Sequence, residues 1–159
     1  MITSWRIVKA KHAPSAFDGE GARSSGGRWN SPGVAMVYTA QSAALAALEI
    51  LVHVHSSTLL SAYVLIPCAF DTRLILQLDR THLPARWREH PAVPPLQLMG
   101  DAWIKNGLSA VMAVPSAVVA MESNYLLNPA HPDFGAIEIG APQPFDFDAR
   151  LVRDAGFSR

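Results

Sequence analysis

The side chain best suited to chemistry is Glu49, a carboxylate in an otherwise apolar segment. Ser42 is a favourable N-cap, and the alanines and leucines after it predict a helix over residues 42–55. Because this helix is apolar on nearly every face, we expect it to be buried all round. Burying an unpartnered carboxylate is costly, so Glu49 is either paired, protonated or functional.

Two interpretations of Glu49 follow from the residues around it. As a structural residue, it pairs with Arg6 or Arg28 to hold the helix to the sheet, or bonds His53 one turn further along. As a functional residue, it is a lone ionisable group on an apolar helix, which marks a candidate site on physical grounds.

The arginines of the N-terminal third are the candidate anion ligands. Arg28 follows Gly26 and Gly27, which allow close approach of a ligand, so its guanidinium can grip phosphate oxygens bidentately. The alternative is a surface arginine after a flexible turn. Arg6 lies among apolar neighbours in a predicted strand and is either the structural partner of a carboxylate or a second phosphate ligand.

Four further polar residues stand at positions where a site can form. Ser116 follows a predicted buried strand, where the commoner role is that of a turn residue. Tyr38 ends an apolar strand and can either cap the core or bond a ligand. Asn124 and Asn128, in SNYLLNP, have the pattern of ordinary turn formers. Trp29 is predicted to pack in the core.

Metal and nucleophile chemistry have little support in the sequence. His53 and His55 would point to different faces of a helix, and no matching cluster of histidine and carboxylate stands elsewhere, so no metal is expected. Cys68 is the single cysteine and lies in an apolar run, which predicts a buried core residue and excludes an internal disulfide. The chain contains no GxGxxG after its first strand, no GxxxxGK[ST] and no GxSxG.

The composition limits which classes of protein this chain can belong to. The 159 residues, of which 50% are hydrophobic, predict one globular domain over residues 1–159 with a core at about 5–147. Thirteen basic residues balance thirteen acidic ones, which argues against direct nucleic-acid binding through a broad basic face. No run approaches the ~20 apolar residues that cross a membrane, and the N-terminus lacks an export signal, so a cytoplasmic location is expected.

The remaining segments predict more strands than helices. A helix is expected at 95–106, and long loops at 12–30, 81–95 and 122–134. The predicted strands lie at 5–8, 34–39, 59–70 (ending near Pro67), 74–78, 109–114, 117–121, 136–139 and 145–147. Because strands and helices do not alternate strictly, we expect an α+β fold with a compact mixed sheet and flanking helices.

Four stretches of this chain, taken together, closely resemble the RES-domain toxins of bacterial toxin–antitoxin pairs. They are GARSSGGRWNSPG, VYTAQSAALAALEILVH, VPSAV and ESNYLLNPAHPDF, in that order. The signature arginine, glutamate and serine of that family match Arg28, Glu49 and Ser116. The likeness runs from about Trp5 to Ile139, which is most of the chain.

The resemblance implies a fold similar to the ADP-ribosyltransferase toxins and an activity that consumes NAD. Members of the family cleave the nicotinamide–ribose bond by hydrolysis or phosphorolysis, depleting cellular NAD, or transfer ADP-ribose to a protein. It also implies a cytoplasmic toxin whose partner is an Xre-type antitoxin covering the active site. NAD would be the substrate, phosphate a possible acceptor, and no metal is expected.

The resemblance also implies roles for the candidate residues. Cleavage passes through a cation-like sugar, which the Glu49 carboxylate would stabilise, while Arg28 and Arg6 would hold the pyrophosphate. Two rival functions stay open. One is a mono-ADP-ribosyltransferase acting on a host protein, and the other is a non-catalytic interaction module in which Glu49 and the arginines form an ion network.

The other candidate residues receive supporting roles from the same resemblance. Tyr38 would contact the nicotinamide end, Ser116 would orient either the ribose or the Glu49 carboxylate, and Asn124 would line the same cleft.

Overall fold

The protein was analysed as a computed structural model, which describes residues 1–54 and 61–152. The helices are α1 (Glu20–Ser25), α2 (Ala43–Leu51) and α3 (Pro94–Asn106). The strands are β1 (Ile2–Lys9), β2 (Val37–Ala40), β3 (Tyr63–Phe70), β4 (Ile75–Gln77), β5 (Val111–Pro115), β6 (Ser123–Leu127), β7 (Glu138–Ile139) and β8 (Gln143–Phe145).

The strands of the described residues form one mixed sheet of eight strands in the order β4-β5-β6-β2-β1-β3-β7, with β8 also paired to β3. β4 and β5 run parallel, and the other recorded pairs are antiparallel. The predicted α+β class is confirmed. Because of this strand order, strands that are neighbours in the sheet are often distant in the sequence. Residues near positions 6, 39 and 124 thereby meet at the centre of the sheet.

Helix α2 begins as the sequence predicts and is less buried than expected. The Ser42 side chain accepts a hydrogen bond from the Leu45 backbone N–H at 3.0 Å, as an N-cap does. Leu45 and Ala46 are buried against β1 and β2, whereas Leu48 is 39% exposed. The prediction of a helix buried all round is wrong, because α2 lies on the sheet through one face and leaves the other to solvent.

The second long helix, α3, matches its prediction closely. Leu96 and Trp103 are buried in one core cluster, Met99 packs against them, and Gly107 ends the helix in a left-handed conformation with φ of 57°. This cluster also contains Trp29, in agreement with its predicted core role. The helix thereby packs on the chain segment that carries Arg28.

Several predicted segments differ from the structure. Residues 12–30 are not one loop, since they contain α1 and part of a 3-10 helix (Ala10–Ser15). Strand β3 continues through Pro67 to Phe70, while residues 117–121 form bends and a turn instead of a strand. The most consequential error is β6, a central strand inside the predicted loop 122–134.

The end of α2 also falls short of its predicted limit. The helix stops at Leu51, and His55, with the predicted strand start at 59–60, lies outside the described residues. Within the part of the chain that the structure describes, no helix has both the length and the apolar character that crossing a membrane requires.

Candidate active site

A cavity of about 990 Å³ opens beside α2 and the centre of the sheet. Among the described residues that line it, Glu49 is the single carboxylate, and Arg6, Arg28 and Arg88 are the arginines. Its other polar lining residues include Tyr38, Thr39, His53, His90, Gln97 and Asn124. The cavity therefore surrounds one negative side chain with several positive ones.

Glu49 is held in this cavity by neutral donors. Its Oε1 accepts hydrogen bonds from Ser116 Oγ at 2.8 Å and from Asn124 Nδ2 at 2.7 Å. Within residues 1–54 and 61–152, the structure records no ion pair to Glu49 and no hydrogen bond to Oε2. The structural alternative, in which Glu49 pairs with an arginine or bonds His53, is therefore not found. One oxygen of the carboxylate is fixed, and the other is left for a ligand.

Ser116 supports Glu49 from outside the cavity. It is fully buried, and its Oγ accepts hydrogen bonds from the backbone N–H groups of Val118 and Val119 at 3.1 and 3.0 Å. These bonds fix the hydroxyl rotamer, so that its proton points to Glu49. Ser116 is both the turn residue that its sequence context favours and a donor that orients the Glu49 carboxylate.

Asn124 lies on β6, so its interpretation as a turn former is wrong, whereas Asn128 is a turn residue whose Oδ1 accepts from Ala130 N at 3.0 Å. The Oδ1 of Asn124 is buried without a hydrogen-bond partner, while its Nδ2 is committed to Glu49. Such an acceptor is uncommon in folded proteins and calls for a donor from elsewhere.

Arg6 has a buried hydrogen-bond donor without a partner, whereas Asn124 has a buried acceptor without one. Its Nη1 donates to the Tyr38 backbone carbonyl at 2.8 Å, while its Nε is buried without an acceptor. Burial lowers the pKa of the Arg6 guanidinium, and the charge of Asp18 opposes that effect. The group nevertheless stays cationic, because arginine does not deprotonate in proteins. Arg6, with its unmatched donor, and Asn124, with its unmatched acceptor, are thus both lining residues of one cavity.

Arg28 is anchored through one nitrogen. Its Nη1 donates to the backbone carbonyls of Trp87 and Glu89, each at 2.9 Å. Partial burial lowers the pKa of its guanidinium, and the nearby charge of Glu49 opposes the shift. The Nε and Nη2 positions make no recorded bond within the described residues, so that edge can meet an anion.

Tyr38 organises the turn that carries Arg28. Its hydroxyl donates to Asn30 Oδ1 at 2.7 Å and accepts from Trp29 N at 3.0 Å, and burial raises its pKa. A Cβ at Gly27 would lie 2.6 Å from the Tyr38 oxygen, so this turn requires glycine there. With its hydroxyl committed to the turn, Tyr38 offers the cavity mainly its ring.

Residues of α3 that sequence reasoning did not identify hold the same turn. Gln97 Nε2 donates to Gly27 O at 2.9 Å, and Asp101 Oδ1 accepts from Ser31 N at 2.9 Å. A Cβ at Gly100 would lie 1.7 Å from Trp29 O, so only glycine allows the helix to approach so closely. A glycine inside a predicted helix was the one available sequence signal for this contact.

Two histidines of the described residues lie close together at the cavity. The rings of His53 and His90 are 6.0 Å apart and both residues line the cavity. In the described portion of the chain, no group of three or more histidine, cysteine or acidic side chains is arranged to hold a metal ion.

Comparison with known proteins identifies the family of this fold and site. A family model described as the RES domain matches residues 3–148. The chain therefore belongs to the RES domain family, as its four motifs predicted.

Individual relatives agree with this assignment over nearly their whole length. A protein named Toxin Res from Yersinia enterocolitica is 38% identical, with 92% of this chain and 97% of the relative covered. A Prs ADP-ribosylating toxin from a Sphingobium species is 37% identical over 98% of this chain and 100% of its own. The toxin–antitoxin complex MbcT–MbcA of M. tuberculosis contains a similar fold, with a TM-score of 0.75, 22% identity, and coverage of 91% and 84%.

Proposed function

We propose that this protein is the toxin of a bacterial type II toxin–antitoxin system and that it cleaves the nicotinamide–ribose bond of NAD. The observation that carries the proposal is the Glu49 carboxylate, fixed through Oε1 by Ser116 and Asn124 in a cavity that arginines line. Family membership and the names of its relatives, Toxin Res among them, support the toxin assignment.

The chemistry requires a negative charge beside the ribose. As the glycosidic bond breaks, positive charge develops on the ribose, and a fixed carboxylate stabilises it without reorganisation at the moment of reaction. The free Oε2 of Glu49 provides that charge and can accept a hydrogen bond from a ribose hydroxyl. Nicotinamide leaves as a neutral molecule, so the reaction needs no strong general acid.

The arginines suit the other half of the substrate. The pyrophosphate of NAD is anionic, and guanidinium groups bind phosphate oxygens with planar, charge-assisted hydrogen bonds. Arg28 offers its Nε and Nη2 edge, and Arg6 adds a second guanidinium to the lining of the cavity. The unpartnered Asn124 Oδ1 would accept from a hydroxyl or amide of the substrate.

The acceptor that completes the reaction is water or phosphate. Both pathways share the cleavage step, so Glu49 and the arginines serve either one. The proposal includes a cytoplasmic location and an Xre-type antitoxin that covers the cavity. Metal ions have no role in it.

The test is nicotinamide release from NAD by the purified protein, with and without phosphate, beside Glu49→Gln. Glutamine keeps an oxygen for Ser116 and Asn124, so the variant should fold. Loss of a preorganised electrostatic group typically costs about 10²–10³ in rate, and we expect a fall of that size. Phosphate-dependent release would indicate phosphorolysis. Equal release by the two proteins would contradict the proposal.

A second candidate function is transfer of ADP-ribose to a protein. The Sphingobium relative, 37% identical, bears a name that describes ADP-ribosylation. The same bond breaks in both reactions, and only the acceptor differs. Label from NAD that becomes attached to a protein in a Glu49-dependent way would favour this candidate, whereas label recovered only in small molecules would exclude it.

A further inference from the structure

A short chain segment contacts both Arg28 and the turn that follows Ser116. This segment, residues 87–89, is called the strap below. Arg28 Nη1 donates to the strap carbonyls of Trp87 and Glu89 at 2.9 Å each. The Trp87 side chain packs against the core cluster that contains Trp29, so the strap is anchored where it receives Arg28.

Arg88 ties the strap to the turn that follows Ser116. Its Nε donates to Ala117 O at 3.1 Å, and its Nη2 lies 3.4 Å from Val118 O. Ala117 and Val118 begin the turn that surrounds Ser116, whose Oγ accepts from Val118 N and Val119 N. Arg88 therefore braces the turn that fixes the Ser116 hydroxyl.

The contacts form a continuous path from one reactive charge to the other. It runs from Arg28 to the strap carbonyls, through Arg88 to Ala117 and Val118, and from their turn to Ser116 and Glu49. Every link in this path is a hydrogen bond or a chain segment of a few residues. We therefore expect a displacement of the strap to change the separation between the Arg28 guanidinium and the Glu49 carboxylate.

We propose that Arg88 is a positioning residue, which sets the geometry between Arg28 and Glu49 by holding the strap against the Ser116 turn. The inference rests on the proposed NAD cleavage. In that reaction Arg28 holds the pyrophosphate while Glu49 faces the ribose, so their separation must match the substrate. Misplacement by about 1 Å is enough to cost up to ~10²-fold in rate.

Arg80 provides a matched control. Its Nη1 donates to Ala120 O at 3.0 Å, so it is also an exposed arginine bound to a carbonyl of the same loop. It lies outside the strap and does not line the cavity. Arg80→Ala removes a comparable contact without touching the path from Arg28 to Glu49.

The first experiment compares Arg88→Ala, Arg88→Lys and Arg80→Ala in nicotinamide release. We expect Arg88→Ala to lower kcat by roughly 10- to 100-fold with a smaller change in KM, because the substrate ligands remain but their spacing is lost. Lysine can donate to one carbonyl, so Arg88→Lys should recover part of kcat. Arg80→Ala should match the wild type. Equal kcat in Arg88→Ala and Arg80→Ala would overturn the inference.

A double variant separates positioning from direct substrate contact. If Arg88 acts through Ser116, Arg88→Ala combined with Ser116→Ala should lose little more kcat than Ser116→Ala alone. Additive losses, concentrated in KM, would show that Arg88 binds the substrate itself and would overturn the positioning role.

Amide hydrogen exchange gives a readout that needs no activity. Arg88→Ala should speed exchange of the Val118 and Val119 amides more than Arg80→Ala does, because the brace on their turn is lost. Equal exchange in the two variants would overturn the inference. A wild-type protein that releases no nicotinamide would instead refute the proposed function, which distinguishes the two failures.

Discussion

Two polar clusters, one buried and one half-buried, lie at the central strands, and they differ in whether all their hydrogen-bonding groups have partners. In the first, called the hydroxyl row, Ser4 Oγ lies 2.9 Å from Cys68 Sγ and 2.8 Å from Thr39 Oγ1, which also donates to Tyr125 O at 2.9 Å. All of these groups have partners inside the protein.

The second cluster, called the site cluster, consists of Arg6, Glu49 and Asn124. It leaves Arg6 Nε and Asn124 Oδ1 buried and unpartnered. Arg6 follows Ser4 by two residues on β1, so one strand contributes to both clusters. An unsatisfied buried group costs about 1–3 kcal/mol, which a fold tolerates where a ligand supplies the missing partner. We therefore propose that the hydroxyl row serves folding, whereas the site cluster binds the substrate.

Replacement of Asn124 should have a large effect on the rate. Asn124→Ala removes a donor to Glu49 and the unpartnered Oδ1 together, so nicotinamide release should fall roughly 10- to 100-fold. The stability should change little, because an unsatisfied atom disappears with the lost bond. Rate assays and urea unfolding measure the two quantities.

Asn128→Ala is the control for that variant. Asn128 is buried, lies outside the cavity and accepts from Ala130 N, so its loss should lower stability while the folded protein keeps its rate. If Asn124→Ala behaved like Asn128→Ala, the site cluster would be structural.

A smaller effect, on stability alone, is expected in the hydroxyl row. Ser4→Ala leaves Cys68 and Thr39 with one partner fewer in a fully buried place, so the free energy of unfolding should fall by about 1–3 kcal/mol. Nicotinamide release per folded molecule should stay at the wild-type value. Loss of activity in a protein that is fully folded would place the hydroxyl row in the site.

The smallest effect is expected in the thiol chemistry of Cys68. Burial raises the pKa of this thiol, and the hydrogen bond with Ser4 opposes the shift only in part. Because the thiolate is the reactive form, the native protein should resist a disulfide reagent at pH 8, whereas the unfolded protein should react at once. Rapid labelling of native protein would show that the hydroxyl row is open to solvent.

Local sequence signals predicted the elements whose side chains follow one pattern. α3 has a buried stripe and a glycine stop, so it was found, and the apolar residues Trp5, Ile7 and Val8 revealed the second half of β1. β6 was missed because Ser123 and Asn124 at its start are polar and resemble turn residues. α2 appeared fully buried because its exposed face is also apolar, with Leu48 and Val52 open to solvent.

Local sequence patterns also revealed only part of the candidate site. Glu49 was identified by physical reasoning, since a lone carboxylate in an apolar helix is conspicuous, whereas Ser116 was selected only through the family resemblance. Gln97 and Arg88 gave no signal, because their partners are backbone carbonyls far away in the sequence. Such contacts arise from tertiary packing, which no local pattern encodes.

The central claim is that NAD binds at the site cluster and supplies its missing hydrogen-bond partners. Glu49→Gln should bind NAD without cleaving it, which allows binding to be measured by melting temperature. At a hundredfold excess over Kd, we expect a rise of roughly 5–10 °C.

Adding Ser4→Ala to Glu49→Gln should keep that rise, and adding Arg6→Met should abolish it. Retention with Ser4→Ala and loss with Arg6→Met would place NAD at the unpartnered atoms of the site cluster. An equal rise in both double variants, or no rise in Glu49→Gln itself, would contradict the account.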